Sequence, residues 1–127
     1  LLIGGGLVRP DDFLKAMALG ADAVYVGTAA LLAIVHGQVE KAVPYEPPTT
    51  LVFHQGARAA VFDPEKGAEH LARYLHSCVA EMKLVAKALG RHSLTEIGRD
   101  DLCCLDRDLA SLAGVRWVGL PPAPEDA

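Results

Sequence analysis

Leu2-Ile3-Gly4-Gly5-Gly6-Leu7 and Gly20-Ala21-Asp22-Ala23-Val24-Tyr25-Val26-Gly27-Thr28 are the stretches that decide how this chain folds. The first opens as a short apolar strand over residues 1–3, and three glycines then force a tight turn. Pro10 suits the first turn of a helix, and Asp11 and Asp12 suit its positive end. Phe13, Leu14, Ala16, Met17 and Ala18 give that helix an apolar face, and Gly20 stops it. Residues 21–26, with Val24, Tyr25 and Val26, read as a second strand. Gly27 and Thr28 turn the chain, and residues 28–35 read as a second helix. The order is strand, Gly-rich turn, helix, strand, Gly turn, helix. Connections this short imply neighbouring parallel strands. A parallel sheet needs more strands than two and cover on both faces. The chain is therefore expected to be part of something longer, as its opening on Leu1-Leu2-Ile3 without an initiating Met also suggests.

Each strand runs directly into glycine. Glycine removes the Cβ that keeps a ligand off the backbone, so N–H groups after both strands are free to converge on an anion. The helix starting near Thr28 adds the partial positive charge of its N-terminus, and the Thr28 hydroxyl adds a donor. Together these make a site for a phosphate monoester. In a TIM (β/α)8 barrel the common phosphate site lies in the loops after strands seven and eight. The fold class expected is thus α/β: the last two βα units of such a barrel over residues 1–35, followed by C-terminal helices.

The rest of the chain divides into three. Residues 36–62 carry Pro44, Pro47 and Pro48 and read as an irregular connection. Residues 63–118 read as helical. Asp63 is the cap candidate and Pro64 the first helical residue. Ala68, Leu71, Ala72, Leu75, Cys78, Val79, Met82, Val85 and Leu89 recur at steps of three and four, and Gly90 ends the run. Ser93-Leu94-Thr95-Glu96 fits a capping box. Asp100 or Asp101 is expected to cap a last helix carrying Leu102, Leu105, Leu109 and Leu112 on one side, with Gly114 as its stop. Residues 119–127 read as a loose tail.

Composition excludes several classes. The chain has 127 residues, 51% hydrophobic and 22% charged, which argues against disorder. A net charge of -4 offers no electrostatic case for nucleic acid or for an anionic membrane. The longest apolar stretch, residues 23–35, falls short of the roughly 20 residues that span a bilayer. No signal peptide is evident, and a cytoplasmic setting is expected. Cys78, Cys103 and Cys104 lack a C-x-x-C spacing and read as packing residues, with 103 and 104 pointing apart on a helix. His36, His54, His70, His76 and His92 are scattered, and His70 and His76 fall on different helix faces, so no metal site is expected. Asp11-Asp12 and Asp100-Asp101 are helix-start charges rather than an acid–base pair. Gly4-Gly5-Gly6 does not match G-x-G-x-x-G, and no P-loop is present.

The run from Gly4 to Leu31 resembles the closing segment of FMN-dependent glutamate synthases. Lys15-Ala16 through Gly20-Ala21-Asp22 is an element shared widely among FMN barrels. Gly27-Thr28-Ala29-Ala30-Leu31 favours glutamate synthase over 2-hydroxy-acid oxidases, in which an arginine commonly follows this glycine. Residues 44–53 and 77–90 are similar to single-subunit proteins of the FMN-binding glutamate synthase family, and the resemblance spans residues 1–118. It implies that backbone amides at Gly5, Gly6, Gly27 and Thr28 hold the FMN phosphate. Gly4 stands where a small Ser is usual and is counted with them. Val8 departs from the pattern: the family has an arginine there, and Arg9 is one position late.

The resemblance also implies the chemistry. Reduced FMN delivers a hydride to an imine formed from 2-oxoglutarate and ammonia, the nitrogen coming from ammonia or glutamine. Large glutamate synthase subunits carry three cysteines shortly after Gly-Thr-Ala-Ala. Here Ala33-Ile34-Val35-His36-Gly37-Gln38-Val39-Glu40 has none, so no 3Fe–4S cluster is expected from this chain. Groups contacting the flavin ring and 2-oxoglutarate are expected on the remaining barrel strands, leaving this segment inactive alone and without catalytic residues of its own. Two alternatives stand beside this reading. One is another FMN barrel oxidoreductase such as a 2-hydroxy-acid oxidase. The other is a helical interaction module spanning residues 63–114.

Overall fold

The computed structural model describes residues 1–38, 60 and 62–119. Strand β1 (Leu2–Gly4) leads through the glycine turn to helix α1 (Pro10–Ala18), then to β2 (Ala23–Tyr25) and α2 (Thr28–Val35). The strands pair in parallel, with Leu2 against Ala23, Ile3 against Val24 and Gly4 against Tyr25. They approach closely at the third pair, where a Cβ on Gly4 would sit 3.0 Å from the Tyr25 Cβ. The β1–β2 ribbon is otherwise poorly covered: Leu2 is 59% exposed and Tyr25 68%.

Helix α3 (Pro64–Ala88) starts where sequence chemistry places it. The Asp63 carboxylate accepts from the Glu65 and Lys66 amides at 3.0 and 3.1 Å, satisfying donors that the first turn leaves open. Gln38 holds that start against the end of α2. Its Nε2 donates to the Ile34 and Asp63 carbonyls, both at 3.1 Å, and its Oε1 accepts from the Asp63 amide at 2.8 Å. The expected irregular connection of residues 36–62 lies mostly outside the described residues, but Gln38 fixes its two ends side by side.

α3 packs on both α2 and α1. Against α2 the approach depends on Gly67, where a Cβ would lie 3.0 Å from Ile34 Cγ2 and 3.2 Å from the Ile34 carbonyl. Against α1, Cys78, Met82 and Ala86 meet Phe13, Leu14 and Ala18, with Ile97 closing the cluster. Of the periodic residues on α3, this buried strip uses only part. Leu75, Val79 and Leu89 are 41–44% exposed, because one neighbouring layer covers a narrower arc than the apolar pattern spans.

Past Gly90 the chain departs from expectation. Ser93-Leu94-Thr95-Glu96 makes a single 3-10 turn, in which Ser93 Oγ accepts from the Thr95 amide at 3.3 Å. The Glu96 carboxylate reaches back to the His92 amide rather than to that of Ser93. The long last helix does not form. Cys103–Cys104 is a strand, β3, paired in parallel with β4 (Arg116–Trp117), and the helix between them, α4, covers only Arg107–Ala113. A short apolar run such as residues 102–105 fits strand or helix equally by period, and local capping decides. Asp106 supplies that cap, accepting from the Leu109 amide at 2.8 Å. Asp101 is already committed to the Gly98 amide and to Arg91. Residues 63–118 thus contain a second small parallel pair. Cys103 and Cys104 alternate across a strand instead of around a helix, and Leu105, Leu109 and Leu112 are 85%, 55% and 86% exposed. Gly114 ends α4 as expected, at φ 64°.

Two consequences are measurable. Phe13→Ala opens a cavity in the α1–α3 layer and should cost about 3–5 kcal/mol in denaturant unfolding. Arg91 donates to Asp101 Oδ1 through Nε and Nη2 at 3.1 and 2.9 Å. These bonds, and then the Gly98 amide, hold the Asp101 carboxyl below its ordinary value of 3.8. A carboxylate depressed by folding stabilises above the unfolded value, and that contribution is lost as pH falls through the folded one. The melting temperature of wild type should therefore fall more steeply below about pH 4 than that of Asp101→Asn.

Candidate functional site

The two glycine turns meet at one end of β1 and β2. Gly5, Gly6, Leu7, Val8, Tyr25, Gly27 and Thr28 line a cavity of about 270 Å³ there. Gly5 and Gly6 adopt φ 115° and 67°, a region that side chains rarely enter, and open space lies where a Cβ would be on either. Gly27 also has open space at that position and serves as the N-cap of α2. Gly4 does not line the cavity: it lies one residue short, paired against Tyr25.

The start of α2 differs from every other described α-helix start. α3 and α4 are capped by Asp63 and Asp106, and each carries an acid in its first turn. α1 has Asp11 and Asp12 in its first turn, and Asp12 Oδ2 lies 3.4 Å from the Arg9 amide. α2 has no side-chain cap and no acidic residue in its first turn. Its leading N–H groups have no intrahelical partner, and Gly27 and Thr28 at its start line the cavity.

Among the described residues, no cationic side chain lines the cavity. Arg9 Nη2 donates to Asp11 Oδ2 at 2.7 Å, and Arg9 is absent from the cavity lining. Lys15 donates to the same Asp11 oxygen at 2.8 Å, which keeps the Asp11 carboxyl low. Val8, at the position of the expected arginine, instead has its carbonyl bound by the Tyr74 hydroxyl at 2.8 Å, across 66 positions of sequence.

Local sequence reasoning reaches Gly5, Gly6, Gly27 and Thr28, which the structure brings together. It misses Leu7 and Tyr25 as lining, although Tyr25 could have been found from its place two residues before Gly27. It also misses a pairing of His36 with His70, whose rings meet edge to face at 5.6 Å. These histidines, with Ala33, Arg73 and Tyr74, line a second, shallower cavity of about 350 Å³, and no local pattern links residues on separate helices. Among the described residues no three of His, Cys, Asp and Glu come together as metal ligands. No described helix is long and apolar enough to cross a membrane.

Residues 1–92 match the family model described as a conserved region in glutamate synthase. The chain belongs to the glutamate synthase family. A glutamate synthase large subunit-like protein of Rhizobium meliloti is 33% identical over 135 residues, covering 94% of this chain and 30% of its own length. An archaeal-type glutamate synthase [NADPH] of Dehalococcoides mccartyi is 32% identical over 123 residues, again 94% of this chain and 25% of the relative. An archaeal glutamate synthase [NADPH] of Methanocaldococcus jannaschii is 30% identical over 97 residues, 76% of this chain and 19% of the relative. The chain spans less than a third of the length of these relatives. No solved structure matches it. For this glutamate synthase family segment, the corner's backbone makes a direct prediction. Gly5→Ala and Gly6→Ala should each lower stability by about 1–2 kcal/mol, from positive φ alone. Gly98→Ala, in extended backbone with open space around it, should stay within about 0.5 kcal/mol in the same denaturant titration.

Proposed function

We propose that this chain is the closing part of an FMN-binding (β/α)8 barrel in a glutamate synthase, and that its corner anchors the FMN phosphate. The carrying observation is the start of α2, the one described α-helix start with neither a side-chain cap nor an acid in its first turn, set beside two positive-φ glycines. A phosphate supplies the acceptors that Asp63 and Asp106 supply elsewhere. In this reading the Gly5, Gly6, Gly27 and Thr28 amides and the Thr28 hydroxyl hold the phosphate oxygens. Gly4 sets the strand spacing behind them, by its tight pairing with Tyr25.

The open β1–β2 ribbon supports the larger architecture, since a parallel pair is stable only when further strands and helices cover it. The remaining barrel strands fill that role. In the intact protein, FMN supplies the hydride for reductive amination of 2-oxoglutarate, with ammonia or glutamine as the nitrogen source. This chain's part is to bind and orient: it fixes the phosphate end so that the ring lies at a set distance from the corner. Residues that touch the ring and the keto acid belong to the other strands, and this segment alone is inactive. NADPH, printed in the names of several relatives, is the electron donor to test first. We assign no iron–sulfur cluster to the chain: Cys78 packs in the core, and Cys103 and Cys104 lie on β3. The match to glutamate synthase favours this reading over a 2-hydroxy-acid oxidase.

The intact protein should show a flavin absorption spectrum, release FMN on denaturation, and reoxidise its reduced flavin when 2-oxoglutarate and ammonia are added. A hydrogen bond to a charged acceptor is worth about 1.5–3 kcal/mol. Thr28→Val should therefore weaken FMN binding roughly ten- to a hundredfold while riboflavin, which lacks the phosphate, is unaffected. A colourless protein that takes up no added FMN overturns the assignment.

A further inference from the structure

The loop from β1 to α1 carries two of the four proposed phosphate-binding positions, and it is intrinsically soft. Gly5 and Gly6 have no side chain to pack, and Val8 is 47% exposed. Strand pairing ends at Gly4, and helix α1 begins only at Pro10. Between them, among the described residues, one side chain from a distant element bonds this backbone: Tyr74 of α3, whose hydroxyl donates to the Val8 carbonyl at 2.8 Å. We propose that Tyr74 is a positioning residue for the phosphate corner, holding the Gly5–Gly6 loop at its working distance from the start of α2. The inference rests on the phosphate reading above and adds to it the residue that keeps the two halves of the corner in register.

The geometry suits that role. Tyr74 packs against the cluster of Phe13, Cys78 and Met82, so its ring is placed by the core rather than by the loop. α3 also packs on α2. A single rigid helix therefore grips α2 by packing and the glycine loop by one hydrogen bond. Burial, and then the neighbouring Cys78 thiol, push the Tyr74 hydroxyl up to about 12, so it remains a proton donor throughout the neutral range. Phenylalanine at this position keeps the ring's packing and loses the hydroxyl, with its bond to Val8 and its contact with the Cys78 thiol.

The test compares FMN with riboflavin in the intact apoprotein. Wild type should prefer FMN strongly. Tyr74→Phe should cut that preference about three- to tenfold, with riboflavin affinity unchanged, and should speed amide exchange over residues 5–9. Met82→Ala loosens the same core but keeps both the Tyr74 hydroxyl and the neighbouring Cys78 thiol, and it should leave the preference intact. If Tyr74→Phe retains the full FMN preference and slow exchange in the loop, the positioning role is overturned and the phosphate reading stands. Equal loss in Tyr74→Phe and Met82→Ala also overturns it, because general core loosening then explains both. Wild type with no preference for FMN over riboflavin overturns the phosphate reading and this inference together.

Discussion

The packing of α3 across both α1 and α2 is the constraint on which the rest depends. A two-stranded parallel ribbon of three residues per strand has too little buried surface to fix the helices that follow it. α3 does so from outside. Where it passes α2, Gly67 lets the backbones approach to a distance at which a methyl group would press tightly on Ile34. Where it passes α1, Cys78, Met82 and Ala86 close over Phe13, Leu14 and Ala18. Full burial of a large apolar side chain contributes roughly 1.5–3 kcal/mol, so these few contacts outweigh any hydrogen bond in the corner. The Gln38 clasp at Asp63 then fixes where α3 begins relative to the end of α2.

That frame explains how the corner manages without a cationic side chain. An exposed helix terminus contributes about 0.3–1 kcal/mol toward an anion, and up to about 2 kcal/mol when partly buried. This is modest, so the anion site proposed above would need its amides held in place before an anion arrives. Arg9, which sequence order puts one residue past the family position, is drawn away by Asp11. The acids at the head of α1 thus neutralise both that helix end and the Arg9 guanidinium, and among the described α-helices α2 alone starts with neither a side-chain cap nor a first-turn acid.

Much of this was legible in the sequence, and the misses share a cause. Strand, glycine and helix alternation over residues 1–35 is local chemistry, and so are the Asp63–Pro64 start and the Gly90 stop of α3. The gathering of Gly5, Gly6, Gly27 and Thr28 follows from parallel pairing, because strands in register end together. Local reasoning failed at residues 102–106, where two aspartates competed to cap one helix and a two-residue strand hid in an apolar run. It could not reach the Tyr74–Val8 bond or the His36–His70 contact. Each joins side chains brought together only by the angle at which α3 crosses the βαβα unit, and no periodicity encodes that angle.

The boundary of the family match sharpens this division. The match ends at residue 92, just past the stop of α3 at Gly90. The glycine corner, the close approach at Gly67, the core face at Cys78 and Met82, and the Tyr74 bond all lie within it. The β3–α4–β4 element lies beyond it, and the segment that leads to it from the end of α3 attaches by other means. Ile97 inserts into the α1–α3 layer, Arg91 pairs with Asp101, and Arg99 Nη2 reaches the Leu19 carbonyl at 3.3 Å. The Arg91–Asp101 and Arg99–Leu19 contacts involve no residue lining the corner cavity, whereas Leu7, which does line it, packs against the cluster that Ile97 joins. The glycine corner and the described parts of the helices packed behind it therefore fall inside the matched residues, and the last small parallel pair falls outside them.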